Sequence, residues 1–169
     1  VLEGALEHQD SMGTGAVMKP GDVQIMSAGT GITHSEFNHS KKDMLHFLQI
    51  WMIPDARGLK PRYDQKHFPR ENKRDKLLLI GSKTGREGSV VIHQDIDLYA
   101  SRLSLGKSLA APLRNGSGFW TQVLEGTLDI AGKKLRAGDA LYGDGEKALA
   151  IRAEKESEFL LFDIGSFNR

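Results

Sequence analysis

The chain has 169 residues, and its 23 lysines and arginines are nearly balanced by 22 aspartates and glutamates. This balance gives no electrostatic argument for a nucleic-acid or anionic-membrane partner, so direct nucleic-acid binding is not expected. The absence of cysteine excludes disulfides, a thiolate nucleophile and a cysteine-ligated zinc site, and it fits the cytoplasmic location that we expect. The longest apolar stretches, such as residues 47–53, are too short to cross a bilayer.

Short runs rich in β-branched, aromatic and aliphatic residues predict strands along most of the chain. In chain order the predicted strands are residues 23–26, 44–53, 77–80, 89–93, 98–105, 120–124, 127–130, 148–151 and 158–164. The segment 61–76 is charge-dense and contains two prolines, which favours an irregular interdomain linker. We therefore expect an all-β protein with an N-terminal domain at 1–60, a linker at 61–76 and a C-terminal domain at 77–169.

The phrase Val-Leu-Glu-Gly occurs twice, at residues 1–4 and 123–126. Each copy is followed by a short strand-like stretch and then by a Gly-Asp pair, at 21–22 and at 138–139. Self-similarity at this distance predicts a duplicated architecture of two related β units. Only the first copy runs on into a histidine-containing motif, at 29–36, so we expect chemistry in the first unit alone.

The leading site candidates are His34 and Glu36, which stand two positions apart at the end of this motif. Side chains two apart on a strand share one face, so an imidazole and a carboxylate would converge on the same space. This pair of ligand types suits iron, manganese, cobalt, nickel, copper or zinc. The alternative interpretation is a surface His-Ser-Glu sequence at a strand end, without a metal.

Other histidines have two interpretations each. His46 is interpreted either as a hydrogen-bond donor behind the metal ligands or as a partly buried structural histidine. His8 follows the first repeat on an alternating stretch, and either lines the mouth of a cavity behind the ligands or pairs across the sheet. His93 forms a nominal metal trio with Asp95 and Asp97, but the favoured interpretation is a strand end with hydrogen-bonding aspartates.

Several phrases of the sequence resemble the pirin family of the cupin superfamily. The matching phrases lie at residues 1–11, 20–36, 48–51, 61–63 and 92–95. The resemblance implies a bicupin, an all-β fold of two double-stranded β-helix (jelly-roll) barrels, of which the first is incomplete in this chain. It also implies one metal ion in the N-terminal barrel, held by three histidines and one glutamate.

Two of these family ligands carry over to His34 and Glu36. The other two belong to a His-x-His phrase that the resemblance places upstream of Val1, so we expect this chain to be part of a longer one. We expect one divalent transition metal, with iron as the first choice and zinc, manganese, cobalt, nickel or copper as alternatives. The second barrel has no corresponding ligand set.

Some pirin-like proteins are quercetin 2,3-dioxygenases, so the resemblance implies a metal-dependent dioxygenase that opens flavonols such as quercetin with dioxygen. Glu36 would act as the catalytic base and take the proton of the flavonol hydroxyl. Two alternatives stay open. The first is a non-enzymatic regulatory protein with a protein partner, since pirin itself is a metal-dependent transcriptional co-regulator. The second is a metal-free bicupin.

Overall fold

The computed structural model describes residues 1–114 and 116–165, which form strands joined by turns and by an irregular segment at 39–61. The strands are β1 (Leu6–Asp10), β2 (Gly15–Met18), β3 (Asp22–Ser27), β4 (His34–Asn38), β5 (Arg62–His67), β6 (Leu78–Ser82), β7 (Val90–Val91), β8 (Ile96–Leu103), β9 (Ser108–Pro112), β10 (Gly118–Glu125), β11 (Thr127–Ile130), β12 (Lys133–Arg136), β13 (Ala140–Asp144), β14 (Ala148–Ala153) and β15 (Ser157–Ile164). Short 3₁₀ turns occur at Arg70–Lys73 and Arg86–Gly88. Within the described residues, no helix has the length and apolar character needed to span a membrane.

The C-terminal part of the chain consists of two facing sheets. A six-stranded sheet has the order β13-β10-β15-β8-β6-β7, and a four-stranded sheet has the order β12-β11-β14-β9. Thirteen buried apolar residues fill the space between the sheets and form what we call the barrel core. Its largest fully buried side chain is that of Phe159 on β15. Burial of this apolar surface is the main stabilising contribution in this part of the molecule.

The six-stranded sheet is buried on both faces. Along β15, Phe159 and Leu161 point into the barrel core, whereas Leu160 and Phe162 point to the opposite side. This alternation follows from the two-residue period of a strand. The second face belongs to a separate apolar cluster, the interunit core, which also contains Phe68 from the N-terminal part of the chain.

The N-terminal part contains two smaller sheets. One has the strand order β2-β1-β4, and the other pairs β3 with β5. Val23 and Ile25 of β3 pack against the interunit core and thereby attach this part to the six-stranded sheet. Strand β1 lies between two antiparallel neighbours, β2 and β4, so both of its edges are paired.

The duplicated phrase has the same local structure in both copies. Gly4 and Gly126 both have a positive φ, of 76° and 84°. A Cβ atom on either glycine would lie 2.2 Å from a backbone carbonyl oxygen, of Met44 in the first copy and of Glu156 in the second. Only glycine permits this backbone conformation together with so close an approach. The two β units thus share the same backbone conformation and the same close contact at the repeated phrase.

The Gly-Asp pairs that follow the repeats are also equivalent. Asp22 Oδ2 accepts the backbone N–H of Lys19 at 2.8 Å, and Asp139 Oδ2 accepts the backbone N–H of Arg136 at 2.9 Å. Each aspartate thus closes its own turn by accepting a backbone N–H three residues before it. Both turns lead into a strand, β3 in the first unit and β13 in the second.

Eight of the nine predicted strands overlap an observed strand, but the prediction for residues 44–53 is wrong. This segment is irregular, and His46 alone forms a backbone bridge, to Glu3. Its apolar composition resembles a strand, yet Trp51 and Ile53 remain 88% and 85% exposed. A strand requires a neighbour for its backbone hydrogen bonds, and composition alone does not supply one.

The predicted linker at 61–76 includes a strand that the sequence did not reveal. Strand β5 pairs with β3 in a register that runs from Asp22 opposite His67 to Ser27 opposite Arg62. Its sequence, Arg-Tyr-Asp-Gln-Lys-His, lacks the apolar alternation by which strands are recognised. An irregular connector is therefore the wrong description of residues 62–67, while the division into domains at 1–60, 61–76 and 77–169 stays a prediction.

Candidate metal centre

A cluster of potential ligands forms between β1 and β4. His8 on β1 lies directly opposite Glu36 on β4, and His34 lies two residues before Glu36 on the same strand. The strand period turns His34 and Glu36 to one face. Within the described part of the chain, these three residues are the one group whose potential ligand atoms all lie within 4.8 Å of one another.

The two imidazoles approach the same carboxylate oxygen. His8 Nδ1 lies 3.9 Å and His34 Nδ1 lies 4.0 Å from Glu36 Oε1. The side chain of His8 is fully buried, and those of Glu36 and His34 are 17% and 28% exposed. Both Nδ1 atoms are buried and have no hydrogen-bond partner. Buried polar atoms are normally satisfied, so two open nitrogens beside one carboxylate need an explanation.

Asp10 contacts the ring nitrogen of His8 that does not face Glu36. His8 Nε2 lies 3.2 Å from Asp10 Oδ2, and the Asp10 side chain is fully buried. The second oxygen, Oδ1, accepts the backbone N–H groups of Met12 and Thr14 at 2.9 and 3.0 Å. Desolvation raises the pKa of Asp10, but the hydrogen bonds from Thr14, His8 and Met12 outweigh it, so the pKa is lowered overall. Asp10 is therefore an ionised acceptor next to His8.

Two further side chains define the surroundings of the cluster. Glu36 Oε2 accepts a hydrogen bond from Gln49 Nε2 at 3.4 Å, which leaves Oε1 facing the imidazoles. The ring of Tyr63 lies against that of His8, with 5.0 Å between the centroids. Desolvation first, and then nearby carboxylates including Asp10, together raise the pKa of Tyr63 to about 12.

This arrangement fits a divalent transition metal. Metal–nitrogen and metal–oxygen bonds of about 2.1 Å allow one ion to bridge ligand atoms up to about 4.2 Å apart. Both observed nitrogen–oxygen separations, 3.9 and 4.0 Å, lie within that span. Imidazole and carboxylate ligands are accepted by several first-row metals, so the ligand types do not select one of them.

The structure brings His8, His34 and Glu36 together but places His46 elsewhere. His46 is exposed, and it lines a cavity of about 370 Å³ whose other lining residues do not include the three clustered side chains. Phe37 follows Glu36 on β4 and so points to the opposite face, where it is 56% exposed.

In the nominal trio of His93, Asp95 and Asp97, the two aspartates form ion pairs with arginines. Asp97 pairs with Arg86, and Asp95 pairs with Arg114. The carboxylates are thus neutralised by guanidinium groups, in agreement with the favoured interpretation that these aspartates are hydrogen-bonding residues.

Sequence reasoning missed Asp10, Gln49 and Tyr63. A signal existed for Asp10, because Leu6, His8 and Asp10 alternate along the stretch that follows the first repeat. No comparable signal existed for Tyr63, since strand β5 was not predicted. Gln49 lies in the segment for which the strand prediction is wrong.

Comparisons with known proteins agree with the geometry. The family model described as Pirin matches residues 1–52, and the model described as Quercetinase C-terminal cupin domain matches residues 79–164. The quercetin 2,3-dioxygenase of Escherichia coli K12 is 42% identical over 164 residues, which cover 97% of this chain and 70% of that protein. The chain belongs to the pirin family.

Solved structures of bacterial pirins support this assignment. The crystal structure of YhhW from Escherichia coli matches with a TM-score of 0.93 and 40% identity, over all of this chain and 71% of that one. A nickel(II) complex of the same bacterial pirin matches with a TM-score of 0.92, over 99% of this chain and 71% of that one. The predicted all-β fold with two cupin units is therefore confirmed for this pirin.

Proposed function

We propose that this pirin is a metal-dependent dioxygenase that opens flavonols such as quercetin. The observation that carries the proposal is the pair of buried, unpartnered Nδ1 atoms of His8 and His34 beside one oxygen of Glu36. The name of the Escherichia coli relative, quercetin 2,3-dioxygenase, supports the choice of reaction. Flavonol and dioxygen react to give the ring-opened ester and carbon monoxide.

His34 and Glu36 would hold the metal, together with the two family histidines that the resemblance places upstream of Val1. A bound divalent metal supplies Lewis-acid polarisation of the substrate oxygens. We favour iron, and zinc, manganese, cobalt, nickel and copper remain alternatives, among which nickel is bound in the related YhhW structure.

Glu36 would act as the general base for the flavonol hydroxyl. Its carboxylate is partly accessible, with 17% of the side chain exposed, so a substrate oxygen can reach it. The hydrogen bond from Gln49 to Oε2 restrains the orientation of the carboxylate. A positioned base of this kind contributes about 10²–10⁴-fold to a rate.

The test combines metal content, by inductively coupled plasma mass spectrometry, with oxygen uptake on addition of quercetin. Both are measured on the 169-residue chain and on the same chain joined to the family's upstream His-x-His segment. We expect about one metal ion per joined chain, its loss in His34→Ala, and a fall in turnover of about 10² or more in Glu36→Gln.

His67→Ala is the matched control, because His67 also pairs with an aspartate but is 60% exposed and lies outside the cluster. We expect this variant to keep both metal and turnover. Turnover that survives His34→Ala and Glu36→Gln would overturn the assigned site. Stoichiometric metal without turnover would reject the dioxygenase and favour a metal-dependent regulatory protein.

A further inference from the structure

We infer that the first β unit contains an open strand site, bordered by β3 on one side and by residues 46–52 on the other. The occupant that fits this site is an extended segment continuing the chain before Val1, and its binding turns residues 46–52 into a strand. The chain covers 70% of its Escherichia coli K12 relative, so that relative has chain beyond the matched part. The inference goes beyond the proposed activity and does not depend on a bound metal.

The second unit shows the same site in its filled form. There the repeated phrase Val-Leu-Glu-Gly, at 123–126, forms the end of β10, which begins five residues before Val123 at Gly118. Strand β10 lies between β13 and β15 and is antiparallel to both. The same phrase stands at 1–4 in the first unit, so the residues that correspond to the beginning of β10 precede Val1.

On one side of the site, the first repeat already starts a ladder with residues 46–52. Glu3 and His46 form an antiparallel bridge, and Glu125 and Glu158 form the corresponding pair between β10 and β15. Residues 46–52 therefore correspond to β15 from Glu158 onward. The bridge at Glu3 is the first step of a ladder that β10 and β15 continue in the second unit.

On the other side, β3 corresponds to β13 and turns an edge toward the site. The nitrogen of Val1 lies 3.5 Å from the carbonyl oxygen of Asp22, as the nitrogen of Val123 lies 3.0 Å from that of Asp139. The carbonyl of Gly21 points the other way, to the β5 side, where it accepts the N–H of Phe68. Within the described residues β5 is the one strand paired with β3, so the edge that faces Val1 has no strand beside it.

The side chains of residues 46–52 already alternate as they do on a strand. Met52 packs against the interunit core, and so does Ile164 at the corresponding position of β15. Gln49, three residues earlier, points to the opposite face and donates to Glu36. A strand partner would hold this backbone in place and thereby restrain Gln49 against Glu36.

The exposure of the segment agrees with a missing neighbour. Leu48 and Ile50 are 39% and 43% exposed, whereas Leu160 and Phe162, at the corresponding positions of β15, are 7% and 9% exposed. In the second unit β10 supplies both apolar cover and backbone partners to β15. A strand in the open site of the first unit would supply the same to residues 46–52.

The first test extends the 169-residue chain before Val1 by Gly-Phe-Trp-Thr-Gln, a copy of residues 118–122. The copy contains no histidine or carboxylate, so it tests strand binding separately from the proposed activity. We expect amide-exchange protection of residues 46–52 to rise by about tenfold or more, because the added strand supplies hydrogen-bond partners. A Gly-Ser-Gly-Ser-Gly extension is the matched control, since it has the same length without apolar side chains, and it should leave the protection unchanged.

The second test measures the register through a disulfide, which the absence of native cysteine makes unambiguous. Trp120 lies opposite Phe162, so the third added residue should lie opposite Ile50. Cysteine at that added position together with Ile50→Cys should form a disulfide within one chain, because directly opposite residues of paired strands lie within disulfide reach. Leu48→Cys with the same added cysteine is the control, since Leu48 is similarly exposed but two residues out of register, and its disulfide should form about tenfold more slowly.

Unchanged exchange at residues 46–52 in the extended chain, or equal disulfide rates at positions 48 and 50, would overturn the inference. Protection that rises with protein concentration, together with dimers in sedimentation, would also overturn it and identify a second copy of the chain as the occupant. Circular dichroism establishes that each variant is folded. Metal content and turnover judge the proposed activity, whereas exchange and disulfide rates judge the strand site, so either can fail alone.

Discussion

The two β units treat their buried polar groups in opposite ways. In the second unit the buried carboxylates of Asp97 and Asp163 lie beside the guanidinium groups of Arg86 and Arg114. In the first unit, His8 and His34 turn unpartnered nitrogens toward a carboxylate. Guanidinium groups thus neutralise the buried carboxylates of the second unit, whereas two imidazole nitrogens of the first unit have no partner. The difference teaches that one duplicated fold can pair its buried carboxylates with cations in one copy and leave buried imidazole nitrogens without partners in the other.

The second unit also buries more apolar side chains than the first. The barrel core of the second unit contains thirteen buried residues. Within residues 1–76, all of which the structure describes, the buried apolar side chains are those of Leu6, Met18 and Phe68. The first unit therefore depends on the interunit core, and hence on the second unit, for much of its support.

The largest expected effect is the loss of stability on truncation of the barrel core. Phe159→Ala removes a fully buried aromatic ring from β15, and we expect the free energy of unfolding to fall by about 3–5 kcal/mol. Guanidinium denaturation measures this change. Leu105→Ala serves as the control, since Leu105 is 69% exposed and its truncation should change stability by less than about 0.5 kcal/mol. A similar effect of both changes would contradict the assignment of the barrel core.

Two neighbouring leucines on β15 allow the contributions of the two cores to be measured separately. Leu160 faces the interunit core and Leu161 faces the barrel core, and either change to Ala should cost about 2–5 kcal/mol. Only Leu160→Ala should also reduce the amide-exchange protection of β3 and β5, because Val23 and Ile25 pack on that side. Equal loss of protection in β3 for both variants would show that the units do not respond separately.

Much of the fold follows from the sequence because its signals are local. The repeated Glu-Gly phrase and the Gly-Asp turns specify the same backbone in both copies, irrespective of context. His34 and Glu36 were likewise brought to one face by strand periodicity alone. These features depend on residues close together in the chain.

Features that depend on distant pairing could not be predicted. The contact between His8 and Glu36 exists because β1 and β4 adopt one particular antiparallel register. Strand β5 exists because its polar residues find β3 as a partner, whereas the more apolar residues 44–53 lack comparable pairing in the described residues. Register is set by tertiary packing, so no local pattern encodes it.

The duplicated turn allows conformational strain and steric contact to be measured separately. Gly126→Ala and Gly4→Ala should each lose about 1–2 kcal/mol from the positive φ alone, and more because the new Cβ meets a carbonyl oxygen. Gly138→Ala is the control: its φ is 92°, yet nothing lies within 4 Å of the added Cβ. Thermal or denaturant unfolding gives the three values. If Gly138→Ala is as destabilising as Gly126→Ala, the close carbonyl contact has no energetic importance.

The smallest effect concerns Tyr63, which reports on the acidic surroundings of the first unit. Its pKa is raised from 10.0 to about 12 by desolvation and by the nearby carboxylates of Asp10, Asp22, Asp64 and Glu36. In the unfolded chain the phenol loses its proton first, at about pH 10. The contribution of Tyr63 to stability is therefore complete below pH 10.0 and is lost as the pH rises toward 12.

A tyrosinate absorbance titration of the unaltered chain, minus that of Tyr63→Phe, isolates this group. We expect the difference curve to have its midpoint near pH 12, and to shift to lower pH in Glu36→Gln because one neighbouring negative charge is removed. A midpoint near 10.0 would mean that Tyr63 is solvated. The ring contact with His8 would then be lost as well, and the first unit would be more open around its ligand atoms than the structure shows.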